Sequence, residues 1–426
     1  MARKMRDSGV EWIGKVPEGW EIGRIRSLFR EVSERYDAQS NNQLPLLSVS
    51  EYYGVAKRED KIKTGEVLVR AESLDGYKVC RAGDIVSNIM LAWKGALGFS
   101  PLSGIVSPAY SVYRPLKDVC SKYFHYLFRT DRYTDVFNKY STGIIASRLR
   151  LYSPEFYAIP AIIPPLPEQR RIADYLDEKC AAIDGAVDEL KRGIEDCKAW
   201  KKAIIFEAVT GKANVLAAKN AKVAKRQMRD SGIPWIGENP EGWEVSRVKN
   251  ECINFDSLRE PISAENRENK QGLYDYYGAS GVIDKIDDYN VDDTVLLIGE
   301  DGANLRMRNL PLVYKATGKF WVNNHAHILK PKEGRDYDFM AYALEAGDYN
   351  DFITGSAQPK LSQANLMAYP IALPPLPEQQ AIADYLDEKC AAIDALVAEK
   401  EKLIADLETY KKSLIFEMVT GKREVA

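Results

Sequence analysis

Two stretches of the chain place apolar residues at alternating steps of four and three. The first reads Leu176, Cys180, Ile183, Val187, Leu190, Ile194, Cys197, Lys201, Ile204, Ala208. The second reads Leu386, Cys390, Ile393, Val397, Lys400, Ile404, Leu407, Lys411, Leu414, Met418. A narrow seam held for this long predicts a long helix with one edge turned to a partner helix, because a 3.5-residue repeat keeps that edge in place. Each stretch opens on Pro-Pro-Leu-Pro-Glu-Gln, at Pro164–Gln169 and Pro374–Gln379. There the last proline suits a first helical position, and the glutamate complements the exposed amides of the first turn. Each closes on Thr-Gly-Lys, with Gly211 or Gly421 as a left-handed stop. A helix of about 40 residues spans roughly 60 Å, more than a compact core needs, so each is read as a spacer. Its obvious partner is the other copy.

Between these helices the pattern changes. Residues from about Leu28 to Ile163 alternate apolar and polar and are punctuated by glycine, which predicts short strands, among them Val67–Arg70, Asp84–Ser87 and Ala109–Tyr113. Cys120–Asn138 reads as helix, with Tyr123, Tyr126, Leu127 and Phe128 turned to a sheet. A second region has the same style in different letters: strands at Thr294–Gly299 and Phe320–Leu329, then a helix near Asp338–Gly347. Each region follows a similar lead-in, Met5–Ile25 and Met228–Val248, in which Trp12, Trp20, Trp235 and Trp243 read as packing anchors. The chain is therefore a tandem repeat. Its parts are a first domain at 1–163, a first helix at 164–212, a linker at 213–227, a second domain at 228–373, and a second helix with its tail at 374–426.

Composition adds exclusions. The 426 residues are 45% hydrophobic and 28% charged, which is ordinary for a globular protein of two or three domains. The start leads into no apolar run, and no long uncharged apolar stretch occurs, so the expected location is the cytoplasm. The six cysteines form no Cys-x-x-Cys pair, and four of them sit in helical or apolar contexts that suit reduced, buried thiols. The net charge of −3 is uneven: residues 1–163 carry 24 basic and 18 acidic side chains, and residues 228–373 carry 15 and 23. The first domain suits phosphates better than the second. No Gly-x-x-x-x-Gly-Lys-Ser/Thr loop is present to cradle a nucleotide. The two Pro-Pro pairs lack the flanking residues of an adenine methyltransferase motif. With only three histidines, His325-x-His327 is a poor metal candidate because no second ligand cluster accompanies it.

Two dissimilar glycine-punctuated α/β regions, each followed by Pro-Pro-Leu-Pro-Glu-Gln and a long helix ending in Phe-Glu-x-Val-Thr-Gly-Lys, resemble the specificity (S) subunit of a type I restriction-modification system. The resemblance covers essentially the whole chain. It implies an α/β (α+β) tandem repeat, with two target recognition domains separated by two long helices that form an antiparallel coiled coil. Each domain would read one half of a bipartite, asymmetric site in double-stranded DNA. The helices would dock two methyltransferase subunits, and restriction subunits would join the complex. The chain itself would hold no cofactor and catalyse nothing, since S-adenosylmethionine, ATP and magnesium belong to the partner subunits. Stretches that mix donors, aromatics and glycines nominate DNA-contacting residues: Asn88, Trp93, Lys94, Ser107, Tyr110, Ser147 and Arg148 in the first domain. In the second they nominate Asn304, Lys319, Trp321, Asn323, Asn324, His325, Gln358 and Lys360. The acidic second domain is the misfit, to be offset by a face of Arg306, Arg308, Lys315 and Lys319 or by positive charge on the partners. A coiled-coil scaffold presenting two domains to ligands other than DNA is the alternative. A self-contained modification enzyme is opposed by the missing cofactor motif.

Overall fold

The computed structural model describes residues 3–37, 44–61, 74, 76–116, 119–145, 148–216 and 226–425. The expected strand at Val67–Arg70 and most of the 213–227 linker lie outside them. The chain forms two compact units, one of Met1–Leu190 with Lys402–Ala426, the other of Lys191–Glu401.

In the first unit the lead-in folds as a hairpin, Met5–Asp7 against Lys15–Pro17, and Glu21–Arg24 then pairs antiparallel with Pro160–Ile163 just before the long helix. The domain is built on an antiparallel sheet ordered Phe29–Val32, Tyr110–Pro115, Ile85–Asn88, Leu97–Phe99. Tyr123, Phe124, Leu127 and Phe128 are buried in its core with Phe29, Tyr113, Phe137 and Phe156. The helical stretch beginning at Cys120 is two helices, Ser121–Phe128 and Asp131–Tyr140, because Thr130 is extended (φ −70°, ψ 148°) between them. Arg129, at the break, reaches back to the carbonyls of Ser50, Glu51, Gly95 and Leu97.

The second unit repeats this plan. Met228–Asp230 pairs with Glu238–Pro240, and Glu244–Arg247 with Pro370–Leu373. Its sheet runs Cys252–Asn254, Ala326–Pro331, Val291–Gly299, Val313–Val322, and is then widened by Gln271–Gly278 and Gly281–Ile286. The first four strands follow the same order as in the first domain, so one sheet plan serves both. Leu296, Ile298 and Leu329 meet Phe339, Met340 and Leu344 of the helix Tyr337–Glu345 in the core.

The long helices are Leu166–Val209 and Leu376–Val419. Their opening motif is fixed residue by residue. Gln169 is buried, donating to the carbonyl of Pro164 and accepting the Cys120 amide, and Gln379 does the same with Pro374 and Asp336. Glu168 accepts the Trp20 indole N–H at 2.8 Å, and Glu378 accepts that of Trp243 at 3.2 Å. In the first unit Leu176, Ile183 and Val187 share a core with Leu414 and Met418, flanked by the half-buried Ile404 and Leu407. In the second, Ile205 and Ala208 share one with Leu386 and Cys390. Ile194 and Ile393 are also buried, while Leu190 and Val397 are half-buried. Asp184 pairs with Lys411 at 2.6 Å and Lys201 with Asp394 at 2.7 Å, so advancing along one helix retreats along the other: the pair is antiparallel.

The helix ends are exchanged between repeats. Lead-in one receives the end of helix two, where a Cβ on Gly421 would lie 2.3 Å from Pro17 and 3.0 Å from Trp20. Lead-in two receives the end of helix one, where a Cβ on Gly211 would lie 2.3 Å from Pro240. Both glycines take positive φ, 69° at Gly421 and 76° at Gly211, so each position demands glycine twice, for conformation and for space. Trp20 and Trp243 are buried beneath these ends, whereas Trp12 and Trp235 are only partly covered.

Candidate nucleic-acid interface

At one corner of each sheet three separate stretches converge, and they converge by matching bonds. In the first domain Asn88, at the end of its strand, stands opposite Tyr110 in the register, and Ile89 accepts the Leu151 amide at 2.9 Å. In the second, Gly299 stands opposite Ala326, and Glu300 accepts the Leu361 amide at 2.7 Å. The turn entering Tyr110 is held by Ser107 Oγ accepting the Ala109 N–H, and that entering Ala326 by Asn323 Oδ1 accepting the His325 N–H. The third stretch is a Thr-Gly hairpin in both, closed by Thr142 with Arg150 and by Thr354 with Lys360. A Cβ on Gly143 would lie 2.5 Å from the Arg148 carbonyl oxygen, and one on Gly355 2.3 Å from that of Gln358, so both turns require glycine.

The frames match and the chemistry differs. On the first platform Ile144 is 99% exposed and Ile145 52%, and the neighbouring turn shows Met90, Leu91 and Lys94. Arg148 is exposed beside them, and Ser147 lies outside the described residues. On the second platform the hairpin and its neighbours expose mainly polar residues, Asn324, Ser356, Gln358, Lys360 and the half-exposed His325, while the adjoining turn exposes Met307 at 66% and Leu310 at 52%. His325 Nδ1 lies 2.8 Å from Asp301. Glu300 is paired both with Lys360, at 3.0 Å, and with Arg259. Burial pushes the Glu300 pKa up, but Lys360 and Arg259 outweigh it and hold the carboxyl below its usual range.

Several nominated side chains serve the frame. Asn88 is buried and accepts the Met90 amide, and Trp93 donates its indole N–H to the Met90 carbonyl. Asn304 folds onto its own turn through Leu310 and Pro311. Trp321 is buried and donates to the Glu260 carbonyl; Asn323 is buried as well. Lys319 stands over the Tyr289 ring at 4.4 Å, on a strand away from the three converging stretches. Tyr110 is half-buried, and loss of water raises its pKa. Lys315 pairs with Asp338, Arg308 lies by Glu345, and Lys319 faces Asp292 in the register, so acids match three of the four cations expected to form a positive face.

Sequence reading missed three residues that hold the platforms. Arg129 gives its donors to four carbonyls, and burial lowers its pKa to about 10. His125 accepts the Phe99 amide through Nδ1, so it is neutral with its proton on Nε2, and burial lowers its pKa to about 3. Arg259 joins Glu300 to the carbonyls of Asn324 and Ala326. None has a neighbour in sequence that announces its role. Among the described residues no group of three His, Cys, Asp or Glu side chains is placed to hold a metal ion, and no helix is long and apolar enough to cross a membrane. The cysteines are free, with burial pushing Cys80 and Cys252 up to about 12.

Two such domains with a pair of long antiparallel helices form an architecture shared with a chain from a type I R-M system solved to show its complex assembly and conformational transition. The TM-score is 0.67 over 96% of this chain and 99% of that one, a likeness of fold at 17% identity. The family model for the type I restriction modification DNA specificity domain matches residues 240–405. The MjaVIII specificity subunit of Methanocaldococcus jannaschii is 25% identical over 96% of this chain and 94% of its own length. A putative specificity subunit of Haemophilus influenzae, S.HindORF215P, is 34% identical over 37% of this chain, a match spanning only 40% of that relative. The chain thus carries a match to the type I restriction modification DNA specificity domain over 240–405 and is similar along nearly its whole length to type I restriction enzyme specificity subunits.

Proposed function

We propose that this chain supplies the DNA-sequence reading of a type I restriction-modification complex, each platform reading one part of a bipartite, asymmetric site. The observation that carries this reading is the duplicated platform: one frame of three converging stretches, built twice, with exposed isoleucines on the hairpin of one copy and polar residues on the hairpin of the other. Equal frames with unequal surfaces suit two readers of unequal sequences. The exposed nominees Lys94 and Arg148 in the first domain, and Asn324, His325, Gln358 and Lys360 in the second, are the side chains offered to DNA. The long helices dock two methyltransferase subunits, to which restriction subunits are added. Catalysis and its cofactors reside on those partners, which also contribute positive charge around the acidic second domain. The test is methylome sequencing of a host carrying the chain with its methyltransferase subunit. A two-part motif is expected, and replacing Asn324, Gln358 and Lys360 by alanine relaxes one part while preserving the other. A wild-type complex that methylates without sequence preference overturns the reading.

A further inference from the structure

We propose that Ile144 and Ile145 read thymine methyl groups in the part of the target recognised by the first domain. The proposal rests on the DNA-reading function above and specifies its chemistry. Ile144 is 99% exposed and Ile145 52%, an unusual placement for two adjacent branched apolar side chains. They are held there by a closed hairpin. Thr142 and Arg150 exchange two backbone hydrogen bonds of 2.9 Å, and the Arg148 amide donates to the Ile145 carbonyl at 2.8 Å. The hairpin is tied to the sheet through the bond from the Leu151 amide to Ile89. Met90 and Leu91, 37% and 39% exposed on the adjoining turn, extend the apolar surface, and Lys94 and Arg148 stand exposed beside it.

An exposed apolar patch bordered by cations fits an apolar target inside an anionic frame. Isoleucine cannot exchange hydrogen bonds with a base edge. The thymine C5 methyl is the apolar group that base pairs present in the major groove, and the minor groove presents none. The matching hairpin of the second domain carries Ser356, Ala357 and Gln358, so it offers no pair of branched apolar side chains at this place. The excess of 24 basic over 18 acidic residues in 1–163 favours the same partner.

The test uses the full chain assembled with its methyltransferase subunits and a duplex bearing the motif found by methylome sequencing. Each thymine of the first half is replaced in turn by deoxyuridine, which lacks only the methyl group, and affinity is read by competition. In the wild type, one or two adjacent positions are expected to lose about fourfold in affinity each, the worth of one buried methyl. In Ile144→Ser/Ile145→Ser the unmodified duplex binds correspondingly more weakly, and deoxyuridine at those positions has no further effect. Both side chains are exposed, so folding is preserved, and co-purification with the methyltransferase checks assembly. A wild type indifferent to every thymine methyl overturns the proposal, as does a variant that binds DNA normally or fails to assemble with its protein partners. A wild-type complex with no sequence-selective binding identifies instead a failure of the DNA-reading function on which the proposal rests.

Discussion

His327 has no exposed surface, and each of its ring nitrogens faces an oxygen: Nδ1 the Asp256 carboxylate at 2.6 Å, Nε2 the Leu361 carbonyl at 2.8 Å. A carbonyl cannot donate, so Nε2 carries a proton and gives it to Leu361. Leu361 follows Lys360, so this contact fixes the exit of the second hairpin to the sheet. Burial pushes the Asp256 pKa up, but hydrogen bonds from His327 and the Ile328 amide outweigh it and leave the carboxyl below its usual range. A depressed carboxyl stabilises the fold above its unfolded pKa and loses that contribution as pH falls through the folded value, so the loss comes below about pH 4. Asp256→Asn, which disturbs the buried contact with His327 and the bond accepted from the Ile328 amide, is expected to cost about 1–3 kcal/mol at pH 7. It also flattens the acid dependence of the second unit. Thermal melts between pH 7 and pH 3 check this; parallel pH profiles for variant and wild type would remove Asp256 from the account. Arg259, hydrogen-bonded to Glu300, follows the same rule: acidic groups on the second platform are matched inside the domain, which is how an acidic domain holds this surface together.

Gly421 and Gly185 separate two uses of glycine in one pair of elements. Gly421 ends its helix at φ 69° against Pro17 and Trp20, whereas nothing lies within 4 Å of a Cβ on Gly185, inside the helix Leu166–Val209. Gly421→Ala is therefore expected to destabilise the first unit by about 2–4 kcal/mol, from left-handed strain and overpacking together. Gly185→Ala is expected to stabilise by about 0.5–1 kcal/mol. Calorimetry on the two variants reads opposite shifts in melting temperature; shifts of the same sign would contradict the assigned contacts. The helices themselves were legible in sequence, because the seam, the Pro-Pro-Leu-Pro-Glu-Gln start and the Thr-Gly-Lys stop are local signals. Where each stop docks was not, since Gly421 meets Pro17 across almost the whole chain. The platforms were legible as groups of turn-forming stretches, but sequence could not separate residues that build a turn from residues that face outward. Ser107, Asn304 and Asn323 carry donors and acceptors suited to bases, and the backbone takes them. Ile144 and Ile145 carry neither, so a search for hydrogen-bonding side chains passes over them.

At the scale of the chain, neither unit is made from one repeat alone. The first needs Leu414, Met418 and Val419 of the second helix, and the buried Tyr123 hydroxyl donates to the Val419 carbonyl at 2.8 Å. The second needs Ile205, Ala208 and Val209 of the first helix. The exchanged parts are nearly the same in both directions: Val-Thr-Gly-Lys at 209–212 and 419–422 docks against Pro17 with Trp20 or Pro240 with Trp243. A fragment of residues 1–216 thus contains both halves of a contact it cannot make with itself in the native way, a lead-in and a helix end made for the other repeat's lead-in. Two copies can supply each other, because Val209, Thr210 and Gly211 repeat the residues that lead-in one already accepts. Symmetric exchange of this kind closes as a two-fold dimer and leaves no end unsatisfied. The fragment is therefore expected to sediment as a dimer. If the proposed function holds, the fragment with a methyltransferase subunit should methylate a palindromic motif made of two copies of the first half-site. Substituting Gly211→Ala in the fragment should weaken the dimer, since the added Cβ now meets Pro17 and Trp20 as it would meet Pro240 in the intact chain. A folded monomer by analytical ultracentrifugation would show that lead-in one discriminates between the two helix ends. The discriminating positions would then be those where they differ at the core, Ala208 against Met418 and Ile204 against Leu414.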